Sequence, residues 1–180
     1  PGMLHGRPVR PPAVGATLLG VDDSSIAGMP GVVRVVTRKN YVGVVAEKPW
    51  QALQAANRLK VSWSAGTGLP SNAQYYDYMR KQPSRDTLIV DSGDDDEKMK
   101  SAADVVRATY MYPFQMHGSI GSSCAVADVQ NGKATVWAAS QNVCALRGST
   151  PTLPGVAPDT VRVVFTRGSG CYGINGADAV

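Results

Sequence analysis

Residues 124–138 run Cys124-Ala125-Val126-Ala127-Asp128-Val129-Gln130, Asn131-Gly132, Lys133-Ala134-Thr135-Val136-Trp137-Ala138. Two strand-like runs rich in β-branched residues meet at Asn-Gly, the strongest short-range signal for a hairpin, because both residues tolerate the positive φ of a tight turn. The polar stretch Ala139-Ser140-Gln141-Asn142 follows, and Gln141 through Gly148 reads as a short helix. Thr160-Val161-Arg162-Val163-Val164-Phe165 is another β-branched strand, and it runs into Gly168-Ser169-Gly170-Cys171-Tyr172-Gly173. Strand, helix and strand in that order end on a loop whose glycines permit close backbone approach to a ligand.

Working back toward the N-terminus, Val105-Val106-Arg107-Ala108-Thr109-Tyr110-Met111-Tyr112 reads as a strand, and Leu88-Ile89-Val90 as a shorter one. Asp94-Asp95-Asp96-Glu97 suits the positive start of a helix reaching Ala103. Ser71 with Gln74 has the spacing of a capping box, opening a helix that carries Tyr75, Tyr78 and Met79 and stops before Pro83. Ala65-Gly66-Thr67-Gly68-Leu69-Pro70 interrupts all periodicity and marks a boundary. Before it, Pro49 starts a helix with Ala52, Ala55, Ala56 and Leu59 on one face, small enough to lie close on a sheet. Strands are expected at 14–21, 32–37 (buried), 41–46 and 60–63, with turns at 22–25 and 27–31. The fold class is α+β, organised as 1–66, a linker with short helices at 67–103, and 104–180.

Composition limits the chemistry. The 180 residues include 18 Lys and Arg against 14 Asp and Glu, a net charge of +4 scattered without interleaved aromatics, which excludes a nucleic-acid groove. Charged residues make up 18%, below the roughly 25% of typical soluble domains, so exposed apolar surface is expected where other protein would lie. Cys124, Cys144 and Cys171 form no Cys-x-x-Cys pair, which argues against structural zinc and a self-contained iron–sulfur cluster; buried, inert thiols are expected for at least two of them. The histidines are His5 and His117, a thin inventory for nucleophilic catalysis, and His117 reads as structural beside Cys124. The acidic run at 94–97 reads as a solvated turn, not a calcium loop. The 168–173 glycines match a dinucleotide fingerprint literally, yet that fingerprint needs a further helix, strand and acidic residue about 20 positions on. Val180 comes before any of these, and compartment stays open.

Several ordered motifs together resemble the molybdopterin-binding large subunit of the xanthine dehydrogenase/aldehyde oxidase family, most nearly its isoquinoline 1-oxidoreductase type. Pro1-Gly2-Met3-Leu4-His5-Gly6-Arg7, Met29-Pro30-Gly31-Val32-Val33 and Val42-Gly43-Val44-Val45-Ala46-Glu47 with Ala52, Ala55 and Ala56 look like the family's α/β hammerhead domain. Met116-His117-Gly118-Ser119-Ile120-Gly121 resembles the opening of the molybdenum-binding region, Ala138-Ala139-Ser140-Gln141-Asn142 the strand-end glutamine motif, and 168–173 the glycine-rich cofactor loop. The likeness is weakest at 67–100.

The resemblance implies an N-terminal fragment of a molybdenum hydroxylase that oxidises an aldehyde or N-heterocyclic aromatic substrate with water as oxygen source. It implies a molybdenum–molybdopterin cofactor in its cytosine dinucleotide form, a separate small [2Fe–2S] subunit that takes the electrons, and the remainder of the large subunit as partner. Gln141 would bond the cofactor's apical oxygen, and backbone at Gly170, Cys171, Tyr172 and Gly173 would approach its dithiolene end. No catalytic or metal-ligating side chain is assigned to these residues, and the 180 residues alone are expected to be inactive and to hold no cofactor. Ile174-Asn175-Gly176 lacks the glutamate of purine-hydroxylating relatives, so a purine substrate is not expected. The competing expectation is a non-catalytic binding or assembly module with the hammerhead fold.

Overall fold

Burial divides β-branched runs that look alike in sequence. The computed structural model describes residues 2–113, 124–149 and 156–168. The chain forms two compact units, Pro1–Gly93 and Asp94–Val180.

In the first unit, β1 (His5–Val9), β4 (Tyr41–Ala46) and β3 (Val32–Arg38) form an antiparallel sheet with β4 at its centre. β2 (Leu18–Asp22) pairs with β5 (Lys60–Trp63) in a second, two-stranded sheet. Helix α1 (Pro49–Arg58) has Pro49 in its first turn, where the missing N–H is no loss, and buries Ala52 and Ala55. Ile26, Val42, Val44, Ala55 and Leu59 are the centre of one core, closed by Val9, Val21, Val35, Val61 and Trp63. Alanine at 55 lets the helix backbone approach the sheet closely.

Several expectations change here. The run 32–37 is a strand, but an edge strand with most residues exposed; β4 takes the buried place because β1 pairs with its other side from His5↔Ala46 to Val9↔Val42. β1 was not foreseen, since His-Gly-Arg-Pro-Val has no alternation. Pro8 cannot donate to a ladder, which fits its edge position. The 14–21 strand starts only at Leu18: Gly15 turns the chain at φ 74°, and the Asn40 carboxamide accepts the Leu18 N–H and donates to the Ala16 carbonyl. Ser71 bonds the Gln74 side chain without capping the backbone, so a 3-10 turn precedes α2 (Tyr75–Arg80). Leu88, Ile89 and Val90 are exposed, with Ile89 at 89%, and pair with no strand among the described residues; a β-branched run becomes a strand only with a ladder partner.

In the second unit, α3 (Asp95–Ser101) starts at the acidic run as expected, with Asp94–Lys98 and Glu97–Lys100 ion pairs on its surface. The predicted strand at 105–112 does not form: none of these residues lies in a strand, and Val106 is 93% exposed. The hairpin forms as read. β6 (Ala125–Gln130) and β7 (Lys133–Ala138) flank Asn131 and Gly132 at φ 51° and 72°, the two positive values of a type I′ turn. Helix α4 (Val143–Ser149) then crosses to β8 (Val161–Phe165), which lies parallel to β7. The order is β6-β7-β8, with β7 central. Val136, Ala138 and Leu146 pack with Val163, and Ala134 and Val161 pack with Val156.

Candidate functional site

The β7–α4–β8 crossover brings the C-terminal ends of two parallel strands side by side, the place where open α/β sheets present ligand-binding residues. Ala138 lies opposite Phe165 in the register, and the Thr166 N–H donates to the Ala138 carbonyl at 3.0 Å. Gly168 lies against Ala139. From these two ends the chain leaves in different ways: β7 into the turn at 139–142, β8 toward the glycine-rich stretch.

The turn is built by polar side chains. Ser140 is 3% exposed, and its hydroxyl accepts the Asn142 N–H at 3.2 Å. The Asn142 side chain accepts the Ala145 N–H at 3.1 Å, capping the start of α4. Between them Gln141 is exposed, and its amide makes no hydrogen bond to another described residue. A buried hydroxyl and a cap thus hold the backbone on both sides of a side chain left open to bind.

Gln141 is the one assigned site residue within the described part of the chain. Gly170, Cys171, Tyr172 and Gly173 lie outside it, as do His117 and the 116–121 motif. Sequence assigns no role to Ser140 or Gly168, and Asn142, which like Gln141 reads as a strand-end side chain able to project into a cleft, instead caps α4. Asn142 before an apolar run was the legible signal of a cap; the burial of Ser140 and the contact at Gly168 depend on the fold. Cys124 and Cys144 are free and exposed, against the expectation of buried thiols. Cys124 precedes an edge strand with every residue exposed, and Cys144 faces away from the side of α4 that buries Leu146. Among the described residues no group of three or more His, Cys, Asp or Glu could hold a metal ion.

Charge is sorted along this sheet. The segments 138–142 and 165–168 carry amides, hydroxyls and Arg167 but no carboxylate. Asp128 lies further back, opposite Thr135, and Asp159 precedes β8 at the other end of the strand. This donor set fits an anionic, oxygen-rich group such as a phosphorylated pterin: neutral N–H donors, one guanidinium and no competing negative charge. A molybdopterin holds its metal through its own sulfurs, so side-chain metal ligands are not required of the protein.

Residues 80–179 match the family model described as the molybdopterin cofactor-binding domain, more than half of the chain. The chain belongs to this family. Beyond that match, the whole chain aligns over 189 positions at 42% identity with a subunit of nicotinate dehydrogenase from Pseudomonas putida. The chain spans 16% of that relative's length. Its fold is similar to that of CO dehydrogenase from Oligotropha carboxidovorans, with a TM-score of 0.71 at 18% identity over 98% of this chain and 28% of that one. Quinoline 2-oxidoreductase from Pseudomonas putida 86 is similar too, with a TM-score of 0.68 at 18% identity over 97% of this chain and 28% of the other. As a molybdopterin-binding chain it is α+β, with the strand-end turn and the glycine-rich segment inside the matched region.

Proposed function

We propose that this chain contributes part of the cofactor site of a molybdenum hydroxylase that oxidises an N-heterocyclic aromatic compound, with water as the source of oxygen. The observation that carries the reading is the meeting of the β7 and β8 C-terminal ends, with Gln141 exposed at one and the glycine-rich stretch continuing from the other. Its aromatic substrate class rests on the relative at 42% identity, whose name specifies nicotinate. The first 66 residues are the hammerhead-like domain, 67–103 a connecting stretch, and 104–180 the start of the molybdopterin-binding region. A small [2Fe–2S] subunit is the proposed electron acceptor; that relative is named as one subunit of its enzyme, which supports an assembly of several chains.

When bound, the cofactor supplies the redox centre, and the protein positions and tunes it. Gln141 would hold the cofactor by donating an amide N–H to one of its oxygens. An amide suits this role because it is neutral and does not titrate. Gly170, Cys171, Tyr172 and Gly173 would offer backbone groups to the cofactor, since glycine lets the main chain come close. Ser140 and Asn142 keep the Gln141 turn in place, and Arg167 attracts the anionic group.

The test uses the full reading frame expressed with its partner subunits. Molybdenum near one per large chain, release of CMP from the extracted cofactor, and label from H2(18)O in the hydroxylated ring are the expected results. Gln141→Ala should lower turnover at least about tenfold, the scale of losing a hydrogen bond to a charged group, with an unchanged unfolding midpoint because the side chain is exposed. A full-length complex without molybdenum and without turnover would refute the reading and leave the non-catalytic module.

A further inference from the structure

We propose that Gly168 is a positioning residue: its contact with Ala139 sets the spacing between the turn that carries Gln141 and the chain continuing from β8. The inference rests on the cofactor reading of Gln141 and adds to it a specific contact between the two strand ends.

A Cβ at residue 168 would come 2.5 Å from the Cβ of Ala139, inside the 3.0 Å that real Cβ atoms respect. Gly168 does not have the positive φ that favours glycine, so its neighbour, not its backbone conformation, makes the demand. Ala139 has little freedom to withdraw. Ala138 before it is buried and bonded through its carbonyl to the Thr166 amide, and Ser140 after it is buried and bonded to the Asn142 amide. The side that yields is therefore the end of β8. Restoring an ordinary carbon contact of ~3.5 Å moves that end outward by about 1 Å. Displacement on this scale is enough to degrade a binding constellation held by groups on both sides of a cleft. It also strains the Thr166–Ala138 hydrogen bond, which lies two residues before Gly168.

The contact makes a reciprocal prediction: an added methyl at 168 is tolerated if the methyl at 139 is removed. Gly168→Ala, Ala139→Gly and the double variant are compared in the full-length protein by hydrogen exchange of the Thr166 amide and by molybdenum per chain. Gly168→Ala is expected to speed that exchange roughly tenfold and to lower molybdenum content by a similar factor, the scale of one lost hydrogen bond. Ala139→Gly alone should change both little, and the double variant should return both toward wild type. Wild-type exchange in Gly168→Ala, or a double variant no better than the single one, overturns the contact. Retained molybdenum in Gly168→Ala despite faster exchange overturns the spacing role. If exchange follows the expected pattern while wild-type protein holds no molybdenum, the cofactor reading fails and the contact stands. Should Gly168→Ala not accumulate folded, the double variant decides: folded with wild-type exchange supports the contact, equally unfolded overturns it.

Discussion

Leu146 is the side chain that holds the crossover helix α4 on the sheet, and truncating it is the sharpest test of the second unit. It is 8% exposed and packs on Val136, Ala138 and Val163. Leu146→Ala removes three buried carbons, a transfer loss of roughly 2.4 kcal/mol at ~0.8 kcal/mol per methylene. Incomplete collapse around the site adds up to about 1 kcal/mol for a cavity of some 40 Å³. The expected cost is about 3 kcal/mol. Val129, on edge strand β6 of the same sheet, is 52% exposed, so Val129→Ala should cost under ~1 kcal/mol because water already reaches much of the side chain. Urea unfolding followed by hydrogen exchange of the β7 and β8 amides separates the two, since with m near 1–3 kcal/mol per molar the Leu146→Ala midpoint falls by roughly 1–3 M. Equal losses from the two substitutions would mean that α4 does not pack on this sheet, and the placement of the Gln141 turn would lose its support.

Gly132→Ala puts a Cβ at φ 72° in the type I′ turn and should destabilise the hairpin by about 1–2 kcal/mol, read as a lower urea midpoint; an unchanged midpoint would contradict the turn. The Asp22 carboxyl is held below the usual aspartate range, first by the hydrogen bond from the Ser24 hydroxyl, then by the Ser24 and Ser25 backbone and by Lys60. With the folded pKa depressed, its stabilising contribution is present above the ordinary value near ~3.9 and fades as pH falls through the folded value. An NMR titration of Asp22 should shift upward in Ser24→Ala; no movement would discount that hydroxyl.

Much of the local structure was readable because it depends on short-range physics. Asn131-Gly132 specifies its turn by backbone sterics alone, Pro49 opens α1 for want of an N–H, and Ala52 with Ala55 mark the face that meets the sheet. The strand end at 138–142 drew notice through the family resemblance, since a polar cluster after a β-branched run says little by itself. The failures share one cause. Val32–Thr37, Leu88–Val90 and Val105–Tyr112 have similar strand propensity, yet the first is an edge strand and the other two are not strands. Ladder pairing is non-local, and propensity carries no record of which partner is available.

Sequence alone therefore determined the Asn131-Gly132 turn, the start of α1 at Pro49 and the resemblance to a molybdopterin-binding family, all carried by residues near one another in the chain. Tertiary structure decided that β1 pairs with β4, that Ser140 is buried while Gln141 is open, and that Gly168 must lack a Cβ because Ala139 occupies that space. Each of these depends on atoms brought together from distant or opposed positions, and steric exclusion between such atoms exists only once the chain has folded.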